Sequence, residues 1–432
     1  MERLIRPLSG PLDATVSVPG SKSIANRALV CAALADGPCV ISNVPDGDDT
    51  VAMVDCLARL GIGVRRDADS VQVLGRAGAL DDGPIVLPTR LAGTTSRFLT
   101  AVAALGVGPY VIDGEAPLRA RPMAALHNAL MALGTHVAPL ERPGHLPVQV
   151  RRGDPADARS RVEVRGDISS QYISALMMIA PYLPHGLEIV LTTDLVSRPY
   201  VEMTSRVMAS FGLDGVQFRS EGFGAIVVPS GRYRATSYAV EADASSASYP
   251  LAAAAIAGGS VRVRGLYADS TQSDIRFVDA LRDMGCIVEQ GNDGVRVTRS
   301  QPLRGITVDM RDFSDTAPTL AVVAAFASTE TRITGIGFIR GKESDRIGDV
   351  VRELRACGVE AEAESDGIVV HPGQVHGARV STHHDHRIAM SFALIGLCVH
   401  DIVIEDPEVV SKSFPGYWTM LDGLGSRGGV SS

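Results

Sequence analysis

The sequence predicts an α/β protein of two similar lobes, each built from three βαβαββ repeats whose inner helices are buried. Two kinds of helical stretch predict this fold, because each kind recurs six times along the 432 residues and the two alternate. A polar interruption at residues 229–236 follows the third repeat. Since a single hydrophobic core rarely grows beyond roughly 250 to 300 residues, a division into two lobes is expected.

The first kind of stretch is an amphipathic helix that ends in an apolar residue or Cys followed by Gly. The six glycines are Gly61, Gly134, Gly212, Gly285, Gly358 and Gly425. They recur at intervals of about 70 residues, which is typical of a repeated supersecondary unit. Glycine suits the position after a helix end, where the backbone often turns through the left-handed conformation.

The second kind of stretch is apolar on nearly every side. Its six copies are SIANRALVCAALADG, TTSRFLTAVAALGVG, SSQYISALMMIAPYL, SSASYPLAAAAIAGG, DTAPTLAVVAAFAS and DHRIAMSFALIGL. A helix that is apolar all round is buried, so these six are predicted to form the inside of the lobes. Each begins with Ser, Thr or Asp, which favour the N-cap position.

Strand pairs complete the repeats. In five of them two short alternating segments follow the amphipathic helix, for example GVRRDADSVQVLG and CIVEQGNDGVRVTR. The sixth repeat reaches the end of the sequence without such a pair, and we expect residues 14–20 to supply its missing strand. The predicted lobes are therefore residues 20–236 and residues 1–19 plus 237–432.

The composition argues against several classes of partner. The formal net charge is −8 without any basic block, so we expect neither nucleic acid nor a membrane surface as a partner. No apolar run reaches the roughly 18 residues that span a bilayer, and the first residues lack the apolar core of a signal peptide. We expect a cytoplasmic monomer with reduced cysteines.

Polar and charged residues gather at the predicted helix starts. They are Lys22, Ser23, Arg27, Thr94, Arg97, Arg121, Ser169, Ser170, Gln171, Ser197, Asp315, Lys342, Glu343, Arg346, Asp385, His386, Arg387 and Lys412. A helix N-terminus carries a partial positive charge, so a basic residue there is unfavourable unless an anion offsets it. Taken singly, each Ser or Asp could be only a cap and each Arg a solvated surface charge. Their recurrence favours a multiply anionic substrate held between the lobes.

Three of these residues stand out because the chain has 41 basic residues and only Lys22, Lys342 and Lys412 are lysines. Lysine is compact and its pKa falls readily on burial, so it can exchange a proton where arginine cannot. A genomic preference for arginine would also explain the low count. Asp315 and Glu343 would suit general acid and base catalysis beside such cations, although each also suits a helix start as a cap or first-turn acid.

Four consecutive residues, His383 to His386, are of types that often bind metal ions. Adjacent helix residues point apart, whereas a two-histidine zinc helix uses i, i+4 spacing. The sequence therefore predicts no metal.

Nine motifs in order carry a resemblance to a known family. They are PGSKSIANRA, AGTTSR, RARP, DISSQY, LVSRPY, ADASSASY, KESDR, DHRIAM and SKSFP. The chain resembles the enolpyruvyl transferase family, and specifically its branch that acts on shikimate 3-phosphate. That resemblance implies two lobes of three βαβαββ units, each like an α/β barrel turned inside out. It also implies transfer of the enolpyruvyl group of phosphoenolpyruvate to the 5-hydroxyl of shikimate 3-phosphate, with release of phosphate, in the shikimate pathway and without a cofactor.

The resemblance also assigns residues. Positions that hold shikimate 3-phosphate match Lys22, Ser23, Arg27, Ser169, Ser170, Ser197 and Lys342, and Asp315 also matches a substrate-binding position. Positions around phosphoenolpyruvate match Lys22, Gly93, Arg121, Gln171, Arg346, Arg387 and Lys412. By the same resemblance Asp315 is the base for the hydroxyl proton, Glu343 is the acid for the methylene carbon, and Lys22 assists the leaving phosphate.

The chain departs from the family pattern at three positions. Arg90 and Leu91 replace the usual Gly-Asn, and Phe338 replaces an Asn. Local substrate contacts must therefore differ there. Gly93 matches the small residue that leaves room for glyphosate in sensitive members, so we expect this inhibitor to act.

Two alternatives stay open from the sequence. The sister enzyme that acts on UDP-N-acetylglucosamine carries a loop cysteine where this chain has Ala116, and usually Asn where it has Ser23. A non-catalytic sensor of phosphorylated metabolites would keep the basic residues but lose the proton-transfer pair, so Asp315 and Glu343 favour catalysis.

Overall fold

The computed structural model describes residues 1–68, 70–154 and 159–425. Helices α1 to α13 are, in chain order, Lys22–Leu34, Asp48–Arg59, Gly93–Ala103, Ala116–Arg119, Ala124–Ala132, Ser170–Ile179, Arg198–Ser210, Ala244–Ala257, Phe277–Asp283, Ala317–Ala324, Gly348–Ala356, His386–Ala393 and Tyr417–Gly423. Strands β1 to β23 are Glu2–Leu4, Leu12–Val16, Pro38–Ser42, Gly63–Arg66, Ser70–Leu74, Ile85–Pro88, Tyr110–Asp113, His136–Pro139, Val148–Arg151, Arg161–Val164, Leu187–Leu191, Gln217–Arg219, Ala225–Val228, Ser237–Ala239, Gly259–Val263, Ile287–Gly291, Gly294–Arg299, Thr307–Asp309, Thr331–Thr334, Ala361–Ala363, Ile368–Val370, Arg379–Val380 and Val403–Glu405. Among the described residues no helix combines the length and apolar character needed to cross a membrane.

The chain divides into two compact units. One comprises Gly20–Val240, and the other comprises Met1–Pro19 together with the chain from Glu241 onward. The second boundary lies at Val240 rather than at Thr236, because β14 pairs in parallel with β3 and so belongs to the unit of residues 20–240.

The repeat is visible in the sheets. Five of the six sheets formed by the described strands have four strands in one order, as in β6-β7-β9-β8. There β6 and β7 are parallel, whereas β9 runs antiparallel to both β7 and β8. An inner helix joins the parallel pair, which gives the predicted βαβαββ unit and confirms the fold class.

Two strands do not belong to the repeat that follows them in sequence, because each pairs with a strand that is distant along the chain. β2 precedes α1 but pairs in parallel with β15, as the first strand of the fourth repeat. β14 precedes α8 but pairs with β3, as the first strand of the first repeat.

The prediction that residues 14–20 complete the sixth repeat was therefore wrong, because β2 belongs to the sheet of the fourth repeat. The sixth sheet is β1-β23-β22, so the strand that completes it is Glu2–Leu4. Alternation of apolar and polar residues marks a strand but does not choose its partner.

The helices follow the predicted layers. The inner helices α1, α3, α6, α8, α10 and α12 are almost entirely buried. Five of the six glycines that end outer helices, all but Gly425, have positive φ, as at Gly61 with +82°.

The predicted caps are only partly present. Ser169 and Asp385 accept backbone N–H bonds as the predicted N-caps of α6 and α12, whereas α8 is capped by Asp243 rather than by the predicted Ser245. Among the described residues α1, α3 and α10 begin without a side-chain cap, and the N-cap of α3 is Ala92 rather than Thr94.

Candidate active site

In the unit of residues 20–240 the predicted residues lie in the opening turns of α1, α3, α6 and α7 or just before them, except for Arg121, which lies between α4 and α5. Among the described residues these four helices have no acidic side chain in the first turn. The positive ends of their dipoles are therefore not offset by carboxylates of their own first turns, which favours an anion.

Lys22 opens α1 and makes an ion pair with Asp49 in the first turn of α2. The Lys22 Nζ lies 3.0 Å from Asp49 Oδ2, and the two side chains are 17% and 4% exposed. The main-chain carbonyl of Asp49 accepts a bond from Thr95 Oγ1, which ties α2 to α3. Asp49 thus holds the lysine at the junction of three helices.

Arg27 lies one turn further into α1 and is buried. Its guanidinium donates to Thr204 Oγ1 at 2.7 Å, to the carbonyl of Ser23 at 2.7 Å, and to Ser174 and the carbonyl of Tyr200. These partners are neutral, and burial lowers the pKa of Arg27 to about 10. Its positive charge is therefore held among dipoles rather than carboxylates.

Gly93 allows two guanidinium groups to approach the start of α3. A Cβ at Gly93 would lie 2.6 Å from an Nη of Arg97 and 2.9 Å from an Nη of Arg121. Arg97 donates to Gln171 Oε1 at 2.8 Å, and Gln171 Nε2 donates to Thr94 Oγ1 at 3.1 Å. The structure therefore brings Gly93, Arg121 and Gln171 together, with Arg97 and Thr94 between them.

The serines lie at the starts of α6 and α7. Ser169 caps α6 through Gln171 N, and Ser170 is its buried first residue. Ser197 is buried and has left-handed backbone angles, φ 53° and ψ 42°, immediately before α7. Such a conformation is unfavourable for a residue with a Cβ and is often found at functional sites.

The second cluster, in the unit that contains α8 to α13, is organised by Arg346. This arginine is 1% exposed and donates to three carboxylates. Its bonds reach Asp385 at 2.7 Å, Glu343 at 2.8 Å and Asp315 at 3.0 Å. Burial lowers the pKa of Arg346, but these carboxylates outweigh burial and hold it above its ordinary value.

Arg387 supports the same cluster from the first turn of α12. One Nη donates to Asp315 Oδ2 at 2.6 Å and the other to Tyr249 Oη at 3.5 Å. Burial raises the pKa of Tyr249 to about 12, so the phenol keeps its proton. Asp315 is thus held between two arginines.

Those arginines set the charge of Asp315. Burial raises the pKa of this carboxyl, but the charges of Arg387, Lys342 and Arg346 outweigh burial and hold it below its ordinary value. Nearby Asp274 behaves differently, because burial and then the charge of Asp315 raise its pKa to about 7. Two neighbouring carboxyls therefore hold different protonation states near neutral pH.

The remaining two lysines lie at the C-terminal ends of short 3-10 helices. Lys342 follows Gly337–Gly341, and its Nζ lies 5.9 Å from the ring centroid of Phe338. Lys412 ends Pro407–Lys412, a segment that packs against α12, and is buried.

The histidine run is not arranged as a metal centre. In the part of the chain that the structure describes, no group of three or more His, Cys, Asp or Glu side chains could hold a metal ion.

Comparison with known proteins decides the family. The family model "EPSP synthase (3-phosphoshikimate 1-carboxyvinyltransferase)" matches residues 8–421. The chain belongs to the EPSP synthase family. It is therefore a transferase of enolpyruvyl groups, as the sequence predicted.

Similar proteins match this chain over nearly their full lengths. A 3-phosphoshikimate 1-carboxyvinyltransferase of Nostoc punctiforme is 41% identical over 417 residues, which cover 96% of this chain and 97% of that protein. A protein of the same name from Methanosphaerula palustris is 41% identical over 95% of this chain and 97% of its own length. A solved structure of EPSP synthase from Acinetobacter baumannii superimposes with a TM-score of 0.82 at 25% identity, covering 98% of both chains.

Four residues that lie close to the predicted residues of the two clusters were not assigned a role from the sequence. They are Asp49, Tyr249, Asp274 and Asp385. Asp385 stood among the polar helix starts, but a local pattern shows only its cap. Asp49 lies in the first turn of the outer helix α2, where acids are common, so its local pattern does not indicate the contact with Lys22.

The departures from the EPSP synthase pattern are now placed. Arg90 has φ +51° and pairs with Asp55 at 2.6 Å. Leu91 is 39% exposed beside the start of α3. The Phe338 ring lies 5.9 Å from Lys342 Nζ, so an aromatic face stands where the resemblance predicts an Asn amide.

Proposed function

We propose that the two clusters, one in each unit, carry the reaction of the family. The chain transfers the enolpyruvyl group of phosphoenolpyruvate to the 5-hydroxyl of shikimate 3-phosphate and releases phosphate, in the shikimate pathway. We further infer that it acts as a cytoplasmic monomer, which sedimentation and cell fractionation would test.

The shikimate 3-phosphate is assigned chiefly to the unit of residues 20–240. Lys22, Ser23, Arg27, Ser169, Ser170 and Ser197 would bind its phosphate, carboxylate and hydroxyls. The support is the absence, in the described part of this unit, of acidic first-turn residues at four helix starts, together with neutral partners for Arg27. An anion there is favoured by both the helix dipoles and the arginine charge.

Phosphoenolpyruvate is assigned to Lys22, Gly93, Arg121, Gln171, Arg346, Arg387 and Lys412. Arginines suit its carboxylate and phosphate because each guanidinium can donate two parallel bonds. Gly93 leaves room for two guanidinium groups close to the backbone. An inhibitor such as glyphosate, which carries the same two kinds of anion, would compete there.

The catalytic proposal rests on one observation, which is that the Arg346 guanidinium forms ion pairs with both candidate proton-transfer carboxylates. Asp315 and Glu343 both bond Arg346, and Asp315 is ionised. An anionic substrate on Arg346 and Arg387 would offset their charges and so raise the pKa of Asp315, which would make it a better base as the complex forms.

The steps follow from these positions. Glu343, once it has taken up a proton, delivers it to the methylene carbon, and the acceptor hydroxyl attacks the cationic carbon while its proton passes to Asp315. The tetrahedral intermediate then expels phosphate, with Lys22 beside the leaving group, while the methyl carbon returns a proton to Glu343 and the enol ether is restored. Proton transfer and charge stabilisation suffice, so the scheme uses no metal or organic cofactor.

Phosphate release from phosphoenolpyruvate tests the proposal, measured with and without shikimate 3-phosphate. We expect release only with both substrates, and a loss of roughly 100-fold in Lys22→Arg, because the wider guanidinium cannot exchange a proton. Binding of both ligands without any release would favour a sensor, and release with UDP-N-acetylglucosamine instead would favour the sister activity.

A further inference from the structure

Glu353 lies on an outer helix, yet its side chain is buried. Helix α11 exposes Arg352 and Arg355, as an amphipathic outer helix should. Glu353 on the same helix is only 4% exposed. A buried carboxylate is costly unless it is hydrogen-bonded, so its partners explain why it is there.

Both partners of Glu353 lie in the segment just before α12. Its Oε2 accepts the backbone N–H of Ser381 at 3.0 Å, and its Oε1 lies 2.7 Å from His383 Nε2. One turn earlier on α11, Asp349 Oδ1 lies 3.8 Å from His383 Nδ1. The outer helix therefore holds this segment at two points.

The held segment has an unfavourable backbone. His383 and His384 have φ of +50° and +58°, and neither is glycine. Left-handed conformations of such residues persist only where surrounding contacts hold them. The bonds to Glu353 are contacts of that kind, and the turn closes with Asp385 N donating to the carbonyl of Thr382 at 2.8 Å.

This turn delivers Asp385 to the second cluster. Asp385 is fully buried and binds Arg346 through both carboxylate oxygens. It also accepts from the backbone N–H of Arg387 at 2.9 Å and from Ser344 Oγ at 3.2 Å. The place of this one carboxylate thus fixes the guanidinium of Arg346 directly, and it fixes the start of α12 from which the Arg387 side chain extends.

We propose that Glu353 is a positioning residue, which fixes the turn at His383–His384 and so aims Arg346 and Arg387 at phosphoenolpyruvate. The inference rests on the proposed function where it takes these arginines as ligands of that substrate. Glu353 itself touches neither of them, and it acts through Ser381, His383 and Asp385.

Steady-state kinetics of Glu353→Ala test the inference, at a temperature well below its unfolding. We expect the KM for phosphoenolpyruvate to rise roughly tenfold, because small misplacement of a binding group has effects of that order. The KM for shikimate 3-phosphate should change less than about twofold, since most of its assigned ligands lie in the other unit. Glu360→Ala removes an exposed acid of the same unit and should leave both KM values at wild-type levels.

Two further variants separate positioning from stability. Glu353→Gln keeps an oxygen acceptor for Ser381 and should restore most of the affinity. His383→Asn removes the ring but tolerates the left-handed backbone, and it should reproduce the rise in KM. If Glu353→Ala does not fold, these two variants decide the matter.

A lowered melting temperature with an unchanged KM for phosphoenolpyruvate, in Glu353→Ala or His383→Asn, would overturn the inference. A wild type that releases no phosphate would instead defeat the proposed function. In that case calorimetric titration of wild type and variant with phosphoenolpyruvate, in the presence of shikimate 3-phosphate, would still show whether Glu353 affects binding.

Discussion

Arg27 in one unit donates to hydroxyls and carbonyls, whereas Arg346 in the other donates to three carboxylates. Helix starts differ in the same way. Asp243 and Asp385 cap α8 and α12, whereas in the described part of the other unit α1, α3, α6 and α7 begin without acids. In the unit of residues 20–240 the charge of Arg27 remains for a ligand to neutralise, although Asp49 already pairs with Lys22. In the other unit three carboxylates already neutralise Arg346.

The difference suits the two tasks of the proposed reaction. A phosphorylated acceptor gains binding free energy from positive charge that protein carboxylates have not neutralised. Proton transfer needs an acid and a base in fixed places, and a buried network of charges fixes them at the cost of desolvation. Each cluster is therefore arranged for one of these needs.

The largest test of the comparison removes the central arginine of each cluster. Arg346→Met leaves the buried Asp385 and the part-buried Asp315 and Glu343 without their shared partner, and we expect the free energy of unfolding to fall by about 3–5 kcal/mol. Arg27→Met leaves only neutral groups, of which Ser174 and Thr204 already bond one another, so a loss below about 2 kcal/mol is expected.

Urea unfolding of both variants measures this contrast. Arg352→Met is the control, because that arginine is 63% exposed and its ion pair should contribute less than about 1 kcal/mol. Equal losses of unfolding free energy in Arg27→Met and Arg346→Met would show that the two clusters do not differ in the way described.

A second test concerns Asp274, whose pKa of about 7 lies above the ordinary 3.8. The folded state therefore binds more protons than the unfolded chain between about pH 4 and pH 7, and this group makes stability fall as the pH rises through that window. One such group contributes a slope of up to about 1.4 kcal/mol per pH unit.

Asp274→Asn should remove that slope, so the variant gains stability relative to the wild type between pH 5 and pH 8. Thermal unfolding across this range checks it, with the exposed Asp279→Asn as control. Asp315 has a lowered pKa and acts in the opposite direction at more acidic pH, so it does not obscure the result. Parallel pH profiles of wild type and Asp274→Asn would contradict the assignment.

The smallest expected effect comes from Ser197 in the unit of residues 20–240. Ser197→Gly relieves the left-handed backbone and should stabilise the fold by about 1 kcal/mol, whereas Ser197→Ala should not. Both variants remove the hydroxyl, so both should bind shikimate 3-phosphate about fivefold to tenfold more weakly. Calorimetry and melting temperatures together separate the two roles, and tight binding by either variant would remove Ser197 from the site.

Much of the site was predictable because its residues occupy repeated places in a repeated unit. Lys22, Asp315 and Arg387 all lie near the starts of inner helices, and the structure puts them there. The contacts of Asp49 and Asp385 were not predictable, because each reaches residues on other helices. Burial of Glu353 likewise contradicts the exposed position expected of an acid on an outer helix.

The sequence by itself determined the six repeats, the two layers of helices and the residue types at the helix starts, because hydrophobic periodicity and turn residues act over a few neighbours. Only the tertiary structure decided that β2 joins the fourth repeat, that β14 joins the first and that β1 joins the sixth. It also decided which carboxylates Arg346 holds. The physical reason is that strand pairing and ion pairing join residues distant along the chain, and local patterns do not encode their partners.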